Sequence, residues 1–139
     1  MKLNEMYSII KLKDCGDERG KLVVVEGNKT IPFEIKRVFY MYGSDSEVIR
    51  GKHANKKSSF VLVNVAGSSK VRICNGEECV VVHLCEPMMG LYIPPMIWKE
   101  MYHFSSDSIM LVLSDEYYDE EEYIRDYGDY IRIRKNKDK

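Results

Sequence analysis

The sequence has few side chains that bind metal ions, and its charges almost cancel. Among 139 residues there are only three histidines, and 21 basic against 22 acidic side chains leave a net charge of −1. This balance gives no general reason to expect a nucleic acid or an anionic membrane as partner. The apolar runs are too short to span a bilayer, and the N-terminus lacks the apolar core of a signal peptide. We therefore expect a cytoplasmic protein that binds neither nucleic acid nor membrane.

The cysteines lack the spacing of a zinc site or of a redox pair. None of the four forms a Cys-x-x-Cys pair: Cys15, Cys74, Cys79 and Cys85. In a cytosolic chain, cysteines spaced in this way are most often free thiols that pack as small apolar side chains. The sequence therefore predicts four free thiols with no metal or redox role.

Short runs of β-forming residues, separated by turns, occupy most of the chain. No strand–helix–strand alternation, internal repeat or linker interrupts them. Asn75-Gly76 is a strong signal for a tight hairpin. The pattern predicts an all-β sandwich or barrel, in a single domain over residues 1–139. The predicted strands cover residues 7–12, 21–26, 35–42, 60–66, 71–74, 79–84, 90–93, 96–104 and 109–113.

The C-terminal part of the sequence is first acidic and then mixed in charge. Acidic residues at its start favour a short helix over residues 119–127, and Gly128 is expected to end that helix. The tail from about residue 129 is predicted to be peripheral, with a frayed end over 132–139. We therefore expect a single short helix after the last strand.

The segment Arg50-Gly-Lys-His-Ala-Asn-Lys-Lys57 combines a histidine, an amide and several basic side chains. In a regular strand, residues two apart share a face, so His53 and Asn55 should lie side by side while Arg50 is out of phase. A histidine suits general acid–base catalysis near neutral pH, and a hydrogen-bonded interior histidine without chemistry is the alternative. Arg50 and Lys57 would suit a phosphorylated ligand.

Two further side chains are candidates for the same site. Lys99 lies on the strand that follows the proline pair, where it should face the barrel interior opposite His53, and Tyr40 ends a strand that could line the same mouth. A metal site needs several His or carboxylate ligands, but Asn55 occupies the second position of a His-x-His pattern, and the ammonium of Lys99 cannot bind a cation. A metal is therefore not expected.

Four segments, in this order, resemble the dTDP-sugar 3,4-ketoisomerases of the cupin superfamily. They are Ile35-Lys-Arg-Val-Phe-Tyr; Arg50-Gly-Lys-His-Ala-Asn-Lys-Lys; Gly90-Leu-Tyr-Ile-Pro-Pro-Met-Ile-Trp-Lys-Glu-Met; and Phe104-Ser-Ser-Asp-Ser with Asp119-Glu-Glu-Glu-Tyr-Ile-Arg-Asp-Tyr. The resemblance spans residues 7 to about 127. It implies a cupin double-stranded β-helix (a jelly-roll barrel) with a short C-terminal helix, a homodimer that exchanges N-terminal strands, and no metal or other cofactor.

The resemblance also implies a reaction. The substrate would be a dTDP-linked 4-keto-6-deoxy sugar, dTDP-4-dehydro-6-deoxyglucose, converted through an enediol to its 3-dehydro isomer during biosynthesis of an unusual deoxy or amino sugar. The family pattern Arg-Gly-x-His-Ala-His-Lys carries a second histidine where this chain has Asn55, and often another where it has Lys99. A non-catalytic cupin that binds a nucleotide-linked sugar is therefore the alternative.

Individual residues receive roles from the same resemblance. The catalytic candidates are His53, Asn55 and Lys99, with His53 as the base. The substrate-binding candidates are Arg19, Tyr40, Arg50 and Lys57.

Overall fold

The computed structural model describes residues 2–137 and has ten β-strands, two 3-10 turns and one α-helix within them. No helix in this range is long and apolar enough to cross a membrane. The strands are β1 (Ser8–Lys11), β2 (Arg37–Tyr42), β3 (Arg50–Asn55), β4 (Phe60–Ala66), β5 (Ser69–Cys74), β6 (Cys79–Leu84), β7 (Met89–Ile93), β8 (Trp98–Tyr102), β9 (Ile109–Ser114) and β10 (Tyr123–Ile124). The 3-10 turns cover Leu3–Glu5 and Glu120–Glu122, and the helix α1 covers Tyr127–Lys137.

The strands form two five-stranded antiparallel sheets. The first sheet has the order β1-β7-β4-β9-β2, and the second has the order β10-β3-β8-β5-β6. Strands that follow each other in the chain often lie in different sheets, which is typical of a jelly-roll barrel. The predicted all-β cupin barrel with a C-terminal helix is confirmed.

The apolar side chains of β4 show how the barrel is filled. Phe60 and Leu62 point between the two sheets, whereas Val61 and Val63 point to the outer face of the first sheet. This is the alternation expected of a strand that is covered on both sides. The segment 12–35 packs over the outer face, so the first sheet lies between two apolar layers.

The segment 21–26, predicted as a strand, forms only an isolated bridge between Asp14 and Val23. Its side chains still alternate, with Val23 and Val25 packed inward while Leu22 and Val24 are exposed. The segment lies across the first sheet as part of its cover instead of pairing along a neighbouring strand. The strand prediction is therefore wrong here, although the alternation is that of a half-buried segment.

The predicted helix over 119–127 is also wrong. Asp119 caps only one 3-10 turn, at Glu120–Glu122, and the next two residues pair with β3 as β10. The α-helix begins at Tyr127 and passes through Gly128, which was expected to end a helix. The pairing of β10 with a strand far away in sequence takes precedence over the local preference of the acidic residues.

The tail that was expected to be peripheral contains a fully buried tyrosine. The ring of Tyr130 lies 5.7 Å from that of Trp98, centroid to centroid. Its hydroxyl group contacts the carbonyl oxygens of Cys74 (3.1 Å) and Met96 (2.8 Å), which share its proton. The helix therefore packs on the core through Tyr130 and also through Ile131 and Ile133 beyond it. The predicted frayed end is helical as far as 137, with 138–139 outside the described residues.

Two of the four cysteines form a disulfide. Cys74 and Cys79 are bonded across the β5–β6 hairpin, whereas Cys15 and Cys85 are free and exposed. The prediction of four free thiols is therefore wrong for Cys74 and Cys79, and the free thiols of Cys15 and Cys85 are exposed instead of packed. The two bonded cysteines lie directly opposite each other in the ladder. That register follows from the hairpin at Asn75-Gly76, so the turn signal contained the information that the cysteine spacing lacked.

Candidate active site

A cavity of about 400 Å³ opens between the two sheets. The second sheet supplies polar lining side chains, His53 and Lys99, while the first sheet and its neighbours supply mostly apolar ones. Two guanidinium groups, those of Arg50 and Arg125, also line it. A largely apolar cavity with a few convergent polar groups is typical of a small-molecule site. The apolar lining includes Phe39, Met41, Phe60, Leu62, Met101 and Val112.

A bulge in β3 decides which side chains enter this cavity. Lys52 has no partner on β8, between the paired residues Gly51 and His53, and its φ is 56°. Gly51 has a φ of 84°, and a Cβ there would lie 3.0 Å from the carbonyl oxygen of Lys99. One extra residue shifts the alternation of a strand, so Arg50 and His53 face the same side. The expectation that Arg50 is out of phase with His53 is therefore wrong.

His53 is a half-buried histidine whose ring is held in one orientation. Its Nδ1 lies 3.0 Å from the carbonyl oxygen of Gly51, which can only accept, so Nδ1 carries the proton of the neutral ring and Nε2 is the basic nitrogen. Its ring centroid is 4.7 Å from that of Tyr123. Burial lowers the pKa of His53 to about 4, and the charge of Lys99 acts in the same direction. The ring is therefore neutral at pH 7 and can accept a proton.

Lys99 lies directly opposite His53 in the β3–β8 ladder, as expected from the sequence. Its side chain is buried, with 4% exposure. The Nζ donates a hydrogen bond of 2.9 Å to Oδ1 of Asn55 and lies 4.4 Å from the ring centroid of Phe60. Burial lowers the pKa of Lys99 to about 7, so the ammonium and the amine are both populated near neutral pH.

Asn55 is buried behind His53 on the same strand. Its Oδ1 accepts from Lys99, and its Nδ2 is buried without a hydrogen-bond partner among residues 2–137. An amide cannot exchange protons usefully, so its geometry is that of a group that orients a neighbour. Across the same residues no three His, Cys, Asp or Glu side chains come together as a metal-binding group.

Glu122 is a buried carboxylate that was not among the sequence candidates. It accepts hydrogen bonds from the backbone N–H groups of Lys57 (3.1 Å) and Ser58 (2.9 Å) and from the hydroxyl of Ser58. Burial opposes its ionisation, but the hydrogen bonds from Ser58 and Lys57 outweigh it and hold the pKa of Glu122 below its usual value. The residue is therefore an anion behind the cavity wall.

Glu122, Tyr123 and Arg125 were missed for one reason. All three lie in or next to the segment whose acidic residues favoured a helix. In the structure this segment contains a short strand that pairs with β3. The guanidinium of Arg125 lies over the ring of Tyr123, with Cζ 4.7 Å from the centroid. The only sequence signal for them was that this segment is one of the four that carry the family resemblance.

Arg19 and Lys57 do not line the cavity. The side chain of Arg19 is 86% exposed in a turn and is paired with Asp17 at 2.7 Å. Lys57 is paired on the surface with Asp119 at 3.0 Å. The single chain therefore brings neither of these predicted substrate-binding residues to His53.

Tyr40 also lies outside the cavity. The alternation of β2 directs Phe39 and Met41 into the cavity and leaves Tyr40 and Tyr42 exposed on the opposite face, with their ring centroids 6.2 Å apart. Tyr40 was expected to line the cavity mouth with His53, but its two neighbours in the strand, Phe39 and Met41, line the cavity instead.

The chain matches a family model, a curated relative and several solved structures. Residues 5–135 match the family model described as FdtA: WxcM-like, C-terminal. The chain is 46% identical over 122 residues, 88% of each protein, to TDP-4-oxo-6-deoxy-alpha-D-glucose-3,4-oxoisomerase from Aneurinibacillus thermoaerophilus. Its fold matches that of QdtA, a sugar 3,4-ketoisomerase from Thermoanaerobacterium thermosaccharolyticum in complex with TDP, with a TM-score of 0.94 and 41% identity over 97% of this chain and 98% of that one.

A second structure of the same Thermoanaerobacterium enzyme is a histidine-to-asparagine mutant in complex with TDP-4-keto-6-deoxyglucose. It matches with a TM-score of 0.92 and 42% identity, over 98% of this chain and 97% of that one. These similarities extend over almost the whole of each chain.

Proposed function

This chain belongs to the FdtA family of WxcM-like proteins, and from that premise we propose that it is a 3,4-ketoisomerase of a TDP-linked 4-keto-6-deoxyhexose, such as TDP-4-keto-6-deoxyglucose. The observation that carries the proposal is the direct pairing of His53 and Lys99 inside the cavity. A neutral base and a buried amine with a lowered pKa are the two groups that a keto–enediol conversion requires.

The reaction moves one hydrogen from carbon 3 to carbon 4 and one from oxygen 3 to oxygen 4. Nε2 of His53 removes the proton from carbon 3, and the ammonium of Lys99 stabilises the negative charge that develops on oxygen 4 and protonates it. The imidazolium of His53 then gives its proton to carbon 4 of the enediol, while the amine of Lys99 takes the proton from oxygen 3. The C3–H and O3–H bonds break, the C4–H and O4–H bonds form, and both side chains return to their initial states.

Asn55 acts through Lys99 in this scheme. Its Oδ1 accepts the 2.9 Å hydrogen bond that fixes the Nζ, so it positions the group that exchanges the oxygen protons. The proton transfers that a second histidine would perform in the family pattern are assigned to Lys99. Arg50 and Arg125, at the edge of the cavity, would bind the diphosphate through charge-assisted hydrogen bonds.

The remaining binding roles fit an assembly of two chains. We propose a homodimer that exchanges N-terminal strands, which would carry Arg19, in the segment after the edge strand β1, onto the partner chain. A second chain would also cover the exposed rings of Tyr40 and Tyr42 on the edge strand β2. Lys57 would bind substrate by leaving Asp119. A single domain and a cytoplasmic location complete this proposal.

A non-catalytic binder of a nucleotide-linked sugar is the second candidate, because Asn55 cannot exchange protons. The test is incubation with TDP-4-keto-6-deoxyglucose in deuterated water, followed by NMR. Formation of the 3-keto isomer, or deuterium at carbon 3 or carbon 4, supports the isomerase. Saturable binding with neither product nor exchange supports the binder, and absence of binding overturns both.

A further inference from the structure

Two side chains of opposite charge act electrostatically on Lys99 but do not line the cavity. They are Glu122 in the second 3-10 turn and Arg37 in β2. Building on the proposed isomerase reaction, we propose that both are positioning residues with opposite effects: the carboxylate favours the ammonium form of Lys99, and the guanidinium favours the neutral amine. Neither of them would touch the substrate.

Glu122 is fixed in place beside the Asn55–Lys99 pair. Its three hydrogen bonds from the 57–58 segment hold it ionised at 4% exposure. The residue that follows it, Tyr123, pairs directly with Asn55, the acceptor of the Lys99 hydrogen bond. The anion is therefore held by the same backbone ladder that holds the amide, and it stabilises a positive charge on Nζ.

The side chains of Arg37 and Lys99 both lie near the aromatic ring of Phe60. The Cζ of Arg37 lies 5.8 Å from the ring centroid of Phe60, and the Nζ of Lys99 lies 4.4 Å from the same centroid. Nη1 of Arg37 donates to the hydroxyl of Tyr123 at 3.4 Å, and its Nε and Nη2 are buried without a hydrogen-bond partner among residues 2–137. The guanidinium also lies over the rings of Phe39 and Tyr118 but pairs with no carboxylate in the described part of the chain, so its charge opposes a second cation near the ring of Phe60.

The titratable and charged groups around Lys99 come from several elements, while the neighbouring strands β5 and β4 present the apolar Ile73 and Phe60. His53 faces it from β3, Arg37 from β2 and Glu122 from the 3-10 turn, while Arg125 acts on His53 from the residue after β10. After burial, which lowers the pKa of Lys99, Glu122 raises it and Arg37 lowers it. The opposing charges of Glu122 and Arg37 help to keep both the ammonium and the amine form of Lys99 populated near pH 7. A group that both donates and accepts a proton requires this.

The test is a titration of Lys99 that does not depend on turnover. The protein is labelled with 13Cε-lysine, and the Lys99 resonance, assigned by its loss in Lys99→Arg, is followed by NMR across pH. Glu122→Gln is expected to lower the titration midpoint by about one pH unit, and Arg37→Met to raise it by about as much. Arg37→Lys keeps the charge and serves as the matched control, with no shift expected.

Shifts in opposite directions support the inference, and unchanged midpoints, or shifts in the same direction, in folded variants overturn it. If Glu122→Gln does not fold by circular dichroism, the comparison of Arg37→Met with Arg37→Lys decides. A wild-type protein that forms no 3-keto product but shows the opposite shifts contradicts the proposed function and leaves the charge pair supported. Formation of the 3-keto product without the expected shifts supports the proposed function and contradicts the opposing roles of Glu122 and Arg37.

Discussion

The two walls of the cavity differ in chemistry. The second sheet presents His53 and Lys99 on neighbouring strands, whereas the first sheet presents Phe39, Phe60 and Val112. The polar wall contains the groups to which the proposed reaction assigns the proton transfers. The apolar wall excludes water, and this burial is the main cause of the lowered pKa of both His53 and Lys99. One sheet therefore presents the titratable groups, and the other helps to bury them and so lowers their pKa.

The largest effect is expected when the base is removed from the polar wall. His53→Ala should lower kcat by about 10²–10⁴-fold, because general base catalysis is lost, while the affinity for TDP stays unchanged. NMR of product formation and calorimetry with TDP measure the two quantities. His83→Ala, on the exposed face of the edge strand β6, is the control and should retain full activity. Undiminished turnover in His53→Ala would show that another group is the base.

The pH dependence of the wild type tests both walls together. Because the pKa of His53 is lowered to about 4 and that of Lys99 to about 7, kcat/KM should rise as pH increases through 4 and fall above 7. The fall should be about tenfold per pH unit, the slope of a single deprotonation. These limbs belong to the coupled pair and not to isolated groups.

Lys99→Arg sharpens the assignment of the alkaline limb. Arginine keeps its proton at any pH that the protein tolerates, so the fall above pH 7 should disappear, whatever activity remains. A variant that still loses activity above pH 7 would assign that limb to a group other than Lys99.

A smaller effect is expected at Asn55. Asn55→His restores the family pattern, but because Lys99 exchanges the oxygen protons in the proposed reaction, kcat should change by no more than about tenfold. Rate measurements on the two proteins at pH 7 provide the comparison. An increase of about 10²-fold or more would show that Asn55 is a lesion in the polar wall and that Lys99 does not replace the second histidine.

The smallest effect is expected on the apolar wall. Val112→Thr keeps the shape of the side chain but adds a hydroxyl group to the cavity. A more polar wall should move the two limbs of the pH profile toward ordinary values by a few tenths of a unit, with the acid limb higher and the alkaline limb higher. Limbs that move in opposite directions would contradict a common desolvation by this wall.

The polar wall was largely readable from the sequence, because strand alternation and antiparallel pairing place His53 opposite Lys99. Two features were not readable: a bulge at a lysine has no reliable local signal, and β10 pairs with a strand that is remote in sequence. The disulfide could have been inferred from the hairpin at Asn75-Gly76, which places Cys74 opposite Cys79, but not from the cysteine spacing alone.

The predicted binding residues on turns and outer faces had a different outcome. Arg19, Tyr40 and Lys57 carry suitable chemistry, but no strand register ties them to His53 within one chain. Their substrate-binding roles stay predictions that depend on the dimer. The alternation of side chains along a strand predicts the direction in which a residue points, whereas the charge of a residue in a turn does not.

Because Lys52 is the unpaired residue of the bulge, the Arg-Gly-x-His motif depends on the spacing between Arg50 and His53 more than on the identity of residue x. Many residues at this position would preserve the phase of the strand, glycine most easily because of the positive φ. Deleting the residue would instead turn Arg50 away from the cavity while His53 stayed in place. Substitution of Lys52 should therefore be tolerated, whereas its deletion should not. The identity of this residue can vary during evolution as long as the spacing between Arg50 and His53 is kept.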